Sequence, residues 1–502
     1  MRIGVGSLLT ALAVASAVPI VIDADSTSAS ARSEIRLQLA DLLLGDERYW
    51  ESITAYDRAK EGAKPEQLLR ASTGLLRSLL QVGEFTRGYE EALFLDGLGD
   101  TSSEHKSLYA DALWSYGLFE EAEGTYRDIL AVNPSSARAR HGLGRSLAAQ
   151  SRLDESLVEL HAAIAVEDRA EFFHTLGTVY RRMNRYSEAA DLFENYVAKL
   201  PATGNTEKSE WARAEMRFMR SFGDRTPVVL DSPADQVYTI PFRLVRDKVV
   251  VRGRVNNGDR IDLVVDTGAE QMVMSLPTAQ EAGVRPITNT LSAGVGDVGL
   301  RGLELGRIDS LKISDFSVNN VPVIIKNPPL TGVPETRVEN SISPLAFGLS
   351  TVIDYKNHHL IMARRLPEEP SDIELPLRVH RLALVRGIVN QEYPKTFVVD
   401  TGGEVISISL STANVLGMIP ARYIPLQVFG TSGWDPDAFL LPGVHLAFDR
   451  IQYDNFSVVV LNLHRPSTLL GFNIGGIIGH NFLKNYRVEF DLEDSLLRLR
   501  HF

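Results

Sequence analysis

The first half of the chain carries a helical pattern of apolar and small positions that repeats about every 34 residues. From Glu34 to about Phe222 the sequence is compatible with helix and contains few prolines. Turn residues recur between paired helices, and small or apolar residues recur on the first helix of each pair. These positions are Gly83, Gly117 and Asn184 for the turns, and Ala40, Leu76, Ala110, Gly144 and Gly177 for the first helices. No such unit buries its apolar face alone, so the period predicts a stack of about five helix pairs.

Large residues recur on the second helices, where they fill the gaps left by the small ones, at Tyr56, Tyr126, Leu160 and Phe193. The segment Glu207–Phe222 is typical of a helix that caps such a stack. This pattern resembles the tetratricopeptide repeat and assigns residues 34–222 to a repeat superhelix with a capping helix. The resemblance implies a concave face that binds a peptide or a partner protein. A role as a spacer or dimerisation module remains open.

A β pattern replaces the helical one after Gly223. Alternating β-branched segments dominate and are separated by Gly, Pro and Asn clusters, which is typical of strands joined by turns. The clearest segments are Lys248–Val255, Arg260–Val265, Val321–Ile325 and Thr351–Tyr355. Punctuated stretches at 223–236 and 367–376 are predicted to be linkers, and they bound two β lobes at 237–366 and 377–502.

The two β lobes match each other in one ungapped register, shifted by 134 residues. Val264-Val265-Asp266-Thr267-Gly268 falls on Val398-Val399-Asp400-Thr401-Gly402, and identities continue on both sides of the motif. Examples are Gly253/Gly387, Ser275/Ser409, Thr278/Thr412, Ala279/Ala413 and Gly283/Gly417. This register predicts an internal duplication with one Asp-Thr-Gly motif in each half.

A duplicated strand that ends in Asp-Thr-Gly indicates two carboxylates brought together on a pseudo-twofold axis. Asp266 and Asp400 would then share one proton, because two close carboxyls do not both ionise easily. One carboxylate activates a water while the other donates to a substrate carbonyl. Thr267 and Thr401 are expected to brace the strand ends, and Gly268 and Gly402 are expected to permit the tight turn.

The duplicated motif resembles the aspartic peptidases, and their retroviral-type branch more closely than pepsin. Asp-Thr-Gly-Ala at 266–269 runs into an apolar strand, and Ile477-Ile478-Gly479 resembles the apolar-apolar-Gly segment beneath the catalytic loop. The resemblance covers roughly residues 237–502. It implies a bilobal β-barrel domain behind the helical repeats, which gives a multidomain α plus all-β fold.

By this resemblance Asp266 and Asp400 form the catalytic dyad, both supplied by one chain, so that no obligate homodimer is needed. Segments around Gly294 and Gly296, and around Gly430 and Gly433, match the place of substrate-covering flaps. One position departs from the pattern: the glycine of the apolar-apolar-Gly segment is Ser343 in the first copy. Glu270 and Glu404, which follow the two motifs, are expected to be solvated at the surface, with pairing to Arg or Lys, or tuning of the dyad, as the alternatives.

Composition excludes several other kinds of site and partner. The chain has 502 residues, a net charge of -12 and no cysteine. The charge argues against a nucleic-acid partner, since phosphate binding needs clustered Lys and Arg, and the lack of Cys excludes disulfides and thiolate nucleophiles. His358-His359 lacks a third ligand at suitable spacing, so neither a metal nor another cofactor is expected.

The N-terminus is typical of a secretory signal peptide. Met1-Arg2 precedes an apolar run to Ile22, and small residues suited to cleavage lie at Ala15–Ala17 and at Ser26–Ala31. Residues 1–31 are therefore predicted to direct export to the periplasm or the medium, with an uncleaved membrane anchor or an apolar helix start as alternatives. No stable membrane span is expected after signal removal.

Two functions follow as hypotheses. The first is an exported aspartic endopeptidase that hydrolyses peptide bonds, with the repeats recruiting substrate or a partner protein. The alternative is a non-catalytic peptide-binding or scaffold protein that keeps the peptidase fold. Intact Asp266 and Asp400 favour the first, and the Ser343 departure favours the second.

Overall fold

The structure, a computed structural model, describes residues 24–200, 206–233, 235–292, 301–326, 340–419, 424–430 and 433–502. The chain forms two compact units, Met1–Leu75 and Leu76–Phe502. In the described residues no helix is long and apolar enough to cross a membrane. Most of the predicted signal segment, including Ala15–Ala17, lies outside the described residues, while Ser26–Ala31 lies within the first helix.

Five pairs of helices and one final helix make up the described chain as far as Arg220. They are α1 (Ala24–Gly45), α2 (Tyr49–Lys60), α3 (Pro65–Val82), α4 (Phe85–Gly97), α5 (Ser103–Tyr116), α6 (Phe119–Val132), α7 (Ala137–Ala149), α8 (Leu153–Val166), α9 (Ala170–Arg182), α10 (Tyr186–Lys199) and α11 (Thr206–Arg220). The turns within successive pairs place Gly83, Gly117, Ser151 and Asn184 in the left-handed backbone region, with φ between 57 and 97°. The 34-residue period therefore marks real structural repeats.

The same packing device appears in both units. In Met1–Leu75 the buried Tyr56 donates a hydrogen bond to Asp41 at 2.6 Å, and its ring occupies the space that a Cβ on Gly74 would need. In the second unit Tyr126 donates to Asp111 at 2.5 Å, and its ring lies over Gly142. A large side chain on one helix thus fills the gap above a glycine on the next, as the sequence pattern predicts.

Gly142→Ala is expected to lower the free energy of unfolding by about 2 kcal/mol, because overpacking of a filled core carries that cost. The new Cβ would lie 2.2 Å from the Tyr126 ring. Gly124→Ala on α6 is the control, since a Cβ there meets nothing within 4 Å. It should be neutral or stabilise the protein by up to about 1 kcal/mol, as alanine favours helix over glycine. Equal chemical-unfolding midpoints for the two variants would contradict this packing.

The first β half contains β1 (Val229–Leu230), β2 (Tyr238–Pro241), β3 (Arg243–Val245), β4 (Lys248–Val255), β5 (Arg260–Val265), β6 (Met272–Ser275), α12 (Leu276–Glu281), β7 (Pro286–Ser292), β8 (Arg301–Ile313), β9 (Phe316–Lys326), β10 (Ser341–Ile342), β11 (Ser350–Asp354) and β12 (His359–Ala363). The strands pair in the order β1-β9-β6-β10-β5-β4-β8-β7, and β9 also pairs with β8. That additional pairing closes six of the strands into a barrel.

The second half repeats this plan with β13 (Ile373–Pro376), β14 (Arg378–His380), β15 (Leu382–Val389), β16 (Tyr393–Val399), β17 (Ser407–Ser409), α13 (Leu410–Val415), β18 (Ile424–Pro425), β19 (Val428–Gly430), β20 (Gly433–Asp435), β21 (Phe439–Phe448), β22 (Ile451–Leu461), α14 (His464–Leu470), β23 (Gly476–Ile478), α15 (His480–Leu483), β24 (Tyr486–Asp491) and β25 (Leu496–His501). The order is β14-β15-β16-β23-β17-β22-β21-β18, and the pairing of β15 with β21 closes the second barrel. The two halves also share individual hydrogen bonds. Ser275 accepts the N–H of Thr278 and caps α12, and Ser409 accepts the N–H of Thr412 and caps α13.

A third sheet joins the two halves. Its order is β13-β25-β24-β11-β12-β2, with three strands from each half and the seam where β11 pairs with β24. One hydrophobic cluster runs through both barrels and this sheet. The stretches predicted as linkers contain strands here, since β1 lies within 223–236 and β13 within 367–376.

The repeats from residue 76 onward pack directly on the β halves. Trp114 and Phe119 share an apolar cluster with Phe472 of the second half, and Phe222 shares one with Leu305 of the first half. The sequence predicts a short linker between the repeats and the β lobes and gives no sign of this contact. The apolar side chains that form it are spread over residues about 80 to 360 positions apart, where no local pattern reveals a partner.

Candidate active site

Each Asp-Thr-Gly motif follows a strand whose last residues are buried on both faces. Val264 and Val265 end β5, and Val398 and Val399 end β16; all four side chains are buried. A short parallel strand lies beside each one, β10 beside β5 and β23 beside β16. Continuous apolar residues are expected in strands enclosed in this way. The buried strand ends therefore fix the position of each motif relative to the core.

Reciprocal hydrogen bonds of the two threonines lock the motifs together. The Thr267 hydroxyl donates to the Val399 carbonyl at 2.6 Å, and the Thr401 hydroxyl donates to the Val265 carbonyl at 2.8 Å. Each hydroxyl oxygen also accepts the backbone N–H of the other threonine at 3.1 Å. Both threonines are fully buried. This symmetric set of four bonds fixes the separation of the two strand ends.

The glycines of the motifs let the carboxylates approach across the axis. A Cβ added to Gly268 would lie 2.4 Å from Cγ of Asp400, and one added to Gly402 would lie 2.7 Å from Cγ of Asp266. Neither glycine adopts a positive φ. The close approach of a carboxylate from the other half, and not an unusual turn conformation, is therefore what excludes a side chain at these two positions.

The electrostatics of the pair favour one retained proton. Asp400 accepts the N–H groups of Gly402 at 2.8 Å and Gly403 at 2.9 Å, while Asp266 accepts that of Gly268 at 3.0 Å. Burial, followed by the nearby charge of Asp266, raises the pKa of Asp400 to about 7 despite those two N–H groups. Below about pH 7 the pair therefore keeps one proton, which the two carboxylates share.

The strands beneath the motifs support the two carboxylate residues in the same way. The N–H of Asp266 donates to the Ile342 carbonyl, and the N–H of Asp400 donates to the Ile478 carbonyl, both at 3.0 Å. Ile478 is buried, and Ile477 is half-buried against the cluster shared with the repeats.

The two halves differ at the next residue along these supporting strands. A Cβ on Gly479 would lie 2.6 Å from the Val405 carbonyl oxygen, whereas the first half accommodates Ser343 as a buried side chain. The Ser343 departure leaves the backbone support of Asp266 in place.

The predicted flap glycines are only partly described. Gly294 and Gly296 lie outside the described residues. Gly430 and Gly433 face each other across the hairpin formed by β19 and β20, and residues 431–432 between them lie outside the described residues. A flap role for these four glycines stays a prediction.

Glu270 pairs with an arginine, which is the alternative to the expected surface solvation. It is half-buried and forms an ion pair with Arg381 of the second half at 2.6 Å, directly behind the first motif. Glu404, its counterpart, is exposed. The sequence shows only that both motifs are followed by Glu, and an ion pair between residues more than a hundred positions apart leaves no local signal.

No cluster of His, Asp and Glu suited to a metal ion occurs in the parts of the chain that the structure describes. His358 stacks on Phe242 with ring centroids 5.4 Å apart, and His480 is buried beside Tyr355. Both histidines therefore serve packing in the β halves.

Thr267→Val is expected to lower the free energy of unfolding by about 1 to 3 kcal/mol. It keeps the side-chain shape but leaves the Val399 carbonyl and the Thr401 N–H without their partner, and buried polar groups left unpaired carry that cost. Thr267→Ser is the matched control, because it retains the hydroxyl and should recover most of the loss. Unfolding midpoints of the two variants measure the difference, and equal losses would argue against the bracing bonds.

Comparison with known protein families agrees with this geometry. Residues 251–340, which contain Asp266, match the family model described as aspartyl protease. Residues 109–171 match the tetratricopeptide repeat. The chain thus combines tetratricopeptide repeats with an aspartyl protease-type domain of the retroviral kind, and the predicted fold class is confirmed.

Solved structures similar to this chain include two that are described as TPR proteins. A thermophilic TPR protein of Thermus thermophilus shares 21% identity, with a TM-score of 0.32, over 37% of this chain and 98% of its own. PilF of Pseudomonas aeruginosa shares 13%, with a TM-score of 0.29, over 39% and 87%. YrrB, described as a TPR protein with an unusual peptide-binding site, shares 17%, with a TM-score of 0.24, over 36% and 90%. No curated protein matches the chain.

Proposed function

We propose that the chain is an aspartic-type endopeptidase whose catalytic pair is Asp266 and Asp400. The observation that carries the proposal is the reciprocal bonding of Thr267 and Thr401, which holds two carboxylates face to face at the ends of duplicated strands. A strand end that served only as a turn would need neither the second motif nor the cross-bonds. Both carboxylates come from one chain, so the site requires no partner subunit.

One proton shared between two carboxylates allows one of them to act as base and the other as acid. Asp266 takes a proton from a bound water, whose oxygen attacks the peptide carbonyl carbon while Asp400 donates a proton to the carbonyl oxygen. The resulting gem-diol collapses when Asp266 passes its proton to the departing nitrogen and one hydroxyl returns a proton to Asp400. The C–N bond breaks, and the pair regains its single proton. No cofactor enters these steps.

The repeats and the N-terminus extend the proposal. Tetratricopeptide repeats generally mediate protein interactions, and we assign to this array the recruitment of a protein substrate or partner. Residues 1–31 are proposed to direct export to the periplasm or the medium, with an N-terminal membrane anchor as the alternative. The net charge of -12 supports protein over nucleic-acid partners.

The rival function, a non-catalytic peptide-binding or scaffold protein, is motivated by Ser343. That motive is weak, because the carbonyl of Ile342 supports Asp266 as the carbonyl of Ile478 supports Asp400.

The deciding experiment incubates the full chain with a diverse peptide pool and identifies products by mass spectrometry. Internal cleavage that a statine-type compound blocks, and that a chelator leaves unchanged, is the expected result, since the hydroxyl of statine takes the position of the attacking water. Binding of peptides without any cleavage between pH 4 and 7 would favour the rival. The pH range follows from the pKa of Asp400, about 7.

A further inference from the structure

Residues 115–118, the α5–α6 turn of the repeat array, contact the strand that leads to Asp400. The Gly117 carbonyl accepts the hydroxyl of Thr396 at 2.7 Å, and the Ser115 carbonyl accepts the N–H of Asn473 at 2.7 Å. Thr396 lies on β16, which ends just before Asp400, and Asn473 lies in the segment that leads into β23. The turn therefore reaches both of the strands that support Asp400.

These two contacts are joined within the β half. The N–H of Gly475 donates to the Thr396 carbonyl at 2.7 Å, and β16 and β23 then pair in parallel, with Val399 opposite Ile478. The Ile478 carbonyl in turn accepts the N–H of Asp400. A shift of the α5–α6 turn would thus move β16 and β23 together, and the backbone of Asp400 with them.

The backbones approach each other closely at this contact. Gly117 has a φ of 97°, and a Cβ added there would lie 2.9 Å from Oγ1 of Thr396. A Cβ on Gly475 would lie 2.5 Å from Cβ of Lys395 and 3.0 Å from the Thr396 carbonyl oxygen. Because neither glycine leaves room for a side chain, the α5–α6 turn and the two strands are held at a fixed distance.

Lys395, the residue before Thr396, is buried in the same contact. Its side chain is 3% exposed, and its amine donates to the hydroxyl of Tyr116, whose ring stacks on that of Tyr89 with centroids 4.4 Å apart. In the described ranges no carboxylate pairs with Lys395, and burial lowers its pKa to about 8. A buried amine needs the hydrogen-bond partner that it has. Tyr116 therefore adds a second attachment between the α5–α6 turn and β16.

The corresponding positions of the first half are more exposed. At the offset of 134 residues Lys395 and Thr396 fall on Ile261 and Asp262. Asp262 is exposed and pairs with two surface arginines. The repeats contact the first half at another strand, where Thr288 on β7 accepts a hydrogen bond from α11 at 3.3 Å. The duplication thus departs from symmetry where the repeats attach to the strand before Asp400.

We propose that the α5–α6 turn positions Asp400 relative to Asp266, which makes Gly117 and Thr396 positioning residues of the active site. The inference rests on the proposed peptidase function and deepens it, because the repeats then help to build the site. Asp266 is the charged group that faces Asp400, and its charge adds to burial in raising the pKa of Asp400. When β16 moves, the carboxylates separate, their repulsion weakens, and the pKa of Asp400 falls.

The first test compares Gly117→Ala with Gly99→Ala in the full-length protein. Both glycines have a positive φ, 97° and 82°, so both variants carry backbone strain, but a Cβ on Gly99 meets nothing within 4 Å. Gly117→Ala should lower kcat by roughly ten- to a hundredfold, as misplacement of a reacting group does, with KM little changed. The alkaline limb of its rate profile should move to lower pH by on the order of one unit. Gly99→Ala should keep the wild-type kcat and limb.

Thr396→Val serves if Gly117→Ala does not fold. It keeps the shape of the side chain but removes the hydroxyl that binds Gly117, so it should move the alkaline limb in the same direction. Thr396→Ser retains the hydroxyl and should restore the wild-type limb. Thr288→Val is the matched control, because it removes a hydrogen bond between the repeats and the first half, on a strand that does not lead to Asp266.

A measurement that needs no activity separates this inference from the peptidase proposal. Asp400→Asn is introduced into the wild-type protein and into Thr396→Val, and chemical unfolding at each pH from 4 to 8 gives its stability gain in both backgrounds. That gain depends on the folded-state pKa of Asp400. In the Thr396→Val background it should therefore level off at a pH lower by on the order of one unit. The stability that Thr396→Val itself loses cancels in the comparison.

An unmoved alkaline limb in folded Gly117→Ala, or an equal shift in Gly99→Ala, would overturn the positioning role. Identical unfolding differences in the two backgrounds would do the same. Shifted limbs in Gly117→Ala and Thr396→Val, with both controls at the wild-type limb, support it. If the wild-type protein cleaves no peptide while the unfolding differences change as expected, the peptidase proposal fails and the positioning of Asp400 stands.

Discussion

Asp266→Asn and Asp400→Asn are each expected to lower peptide cleavage by roughly a thousandfold or more, and the double variant should be little worse than either single one. Each carboxylate has a role that the other cannot fill, because one must accept a proton while the other donates one. The loss is therefore complete once either is gone. Initial rates on a peptide found in the pool experiment, measured with single and double variants, give the comparison.

Glu404→Gln is the matched control for these variants. It changes a carboxylate to an amide four residues beyond Asp400, in the same loop, but its side chain is exposed. Its rate should stay within about threefold of the wild-type rate, as is usual for surface substitutions away from the site. Normal cleavage by a folded Asp400→Asn protein would remove the dyad assignment.

The activity of the wild-type protein is expected to fall as pH rises through about 7. The active form holds one proton, and that proton leaves when pH exceeds the pKa of Asp400, about 7. The rate should therefore drop about tenfold for each further pH unit, as for any required group that loses one proton. A rate profile from pH 4 to 9 measures this, and a flat profile across pH 6–9 would contradict the shared proton.

The features that could be predicted from the sequence are those that leave a local or repeated pattern. The period of the helix pairs can be read from individual turn residues. Gly83, Gly117 and Asn184 all adopt the left-handed conformation that their residue types favour. The duplication identifies both Asp-Thr-Gly motifs because identical neighbours must occupy identical places in the two barrels. Fold class and candidate dyad were therefore predictable from short-range and internally repeated signals.

Contacts between distant segments were not predictable. The repeats contact the strand that precedes Asp400: Thr396 donates to the Gly117 carbonyl at 2.7 Å, and the buried Lys395 donates to the Tyr116 hydroxyl at 2.5 Å. These residues are 279 positions apart. A Thr or Lys on a β-strand is compatible with a solvated face, so only the folded arrangement shows that the repeats support the strand before Asp400.

The sheet that joins the two halves could not be predicted from the sequence either. The segments that sequence analysis assigns to linkers contain Pro and charged residues, which signal turns. Ile373–Pro376 nevertheless pairs with Leu496–Leu499 at the edge of the third sheet, which joins the two halves. Edge strands tolerate proline because one side of the strand needs no ladder hydrogen bonds. Local composition there does not distinguish a linker from an edge strand.

Asp400→Asn is expected to stabilise the protein at pH 8 by on the order of 2–4 kcal/mol, even as it removes activity. Burial and the charge of Asp266 raise the folded-state pKa of Asp400 from 3.8 to about 7, so the folded protein binds this proton more tightly than the unfolded chain does. The wild-type stability from this proton is complete below about pH 4 and is lost as pH rises to about 7. Asn carries no charge at any pH, and its oxygen can still accept the N–H groups of Gly402 and Gly403.

The stability difference between Asp400→Asn and wild type should therefore be near zero at pH 4, grow through pH 5 and 6, and level off above pH 7. Chemical unfolding at each pH, followed by near-ultraviolet circular dichroism, measures it. Asp262→Asn is the control, because Asp262 is exposed and paired with Arg243 and Arg252 on the surface. Its small effect should run in the opposite direction, with stability lost at neutral pH, since the substitution removes a favourable charge pair. A difference for Asp400→Asn that is constant from pH 4 to 8 would mean that the carboxyl ionises as it does in water, and that the two carboxylates do not share a proton.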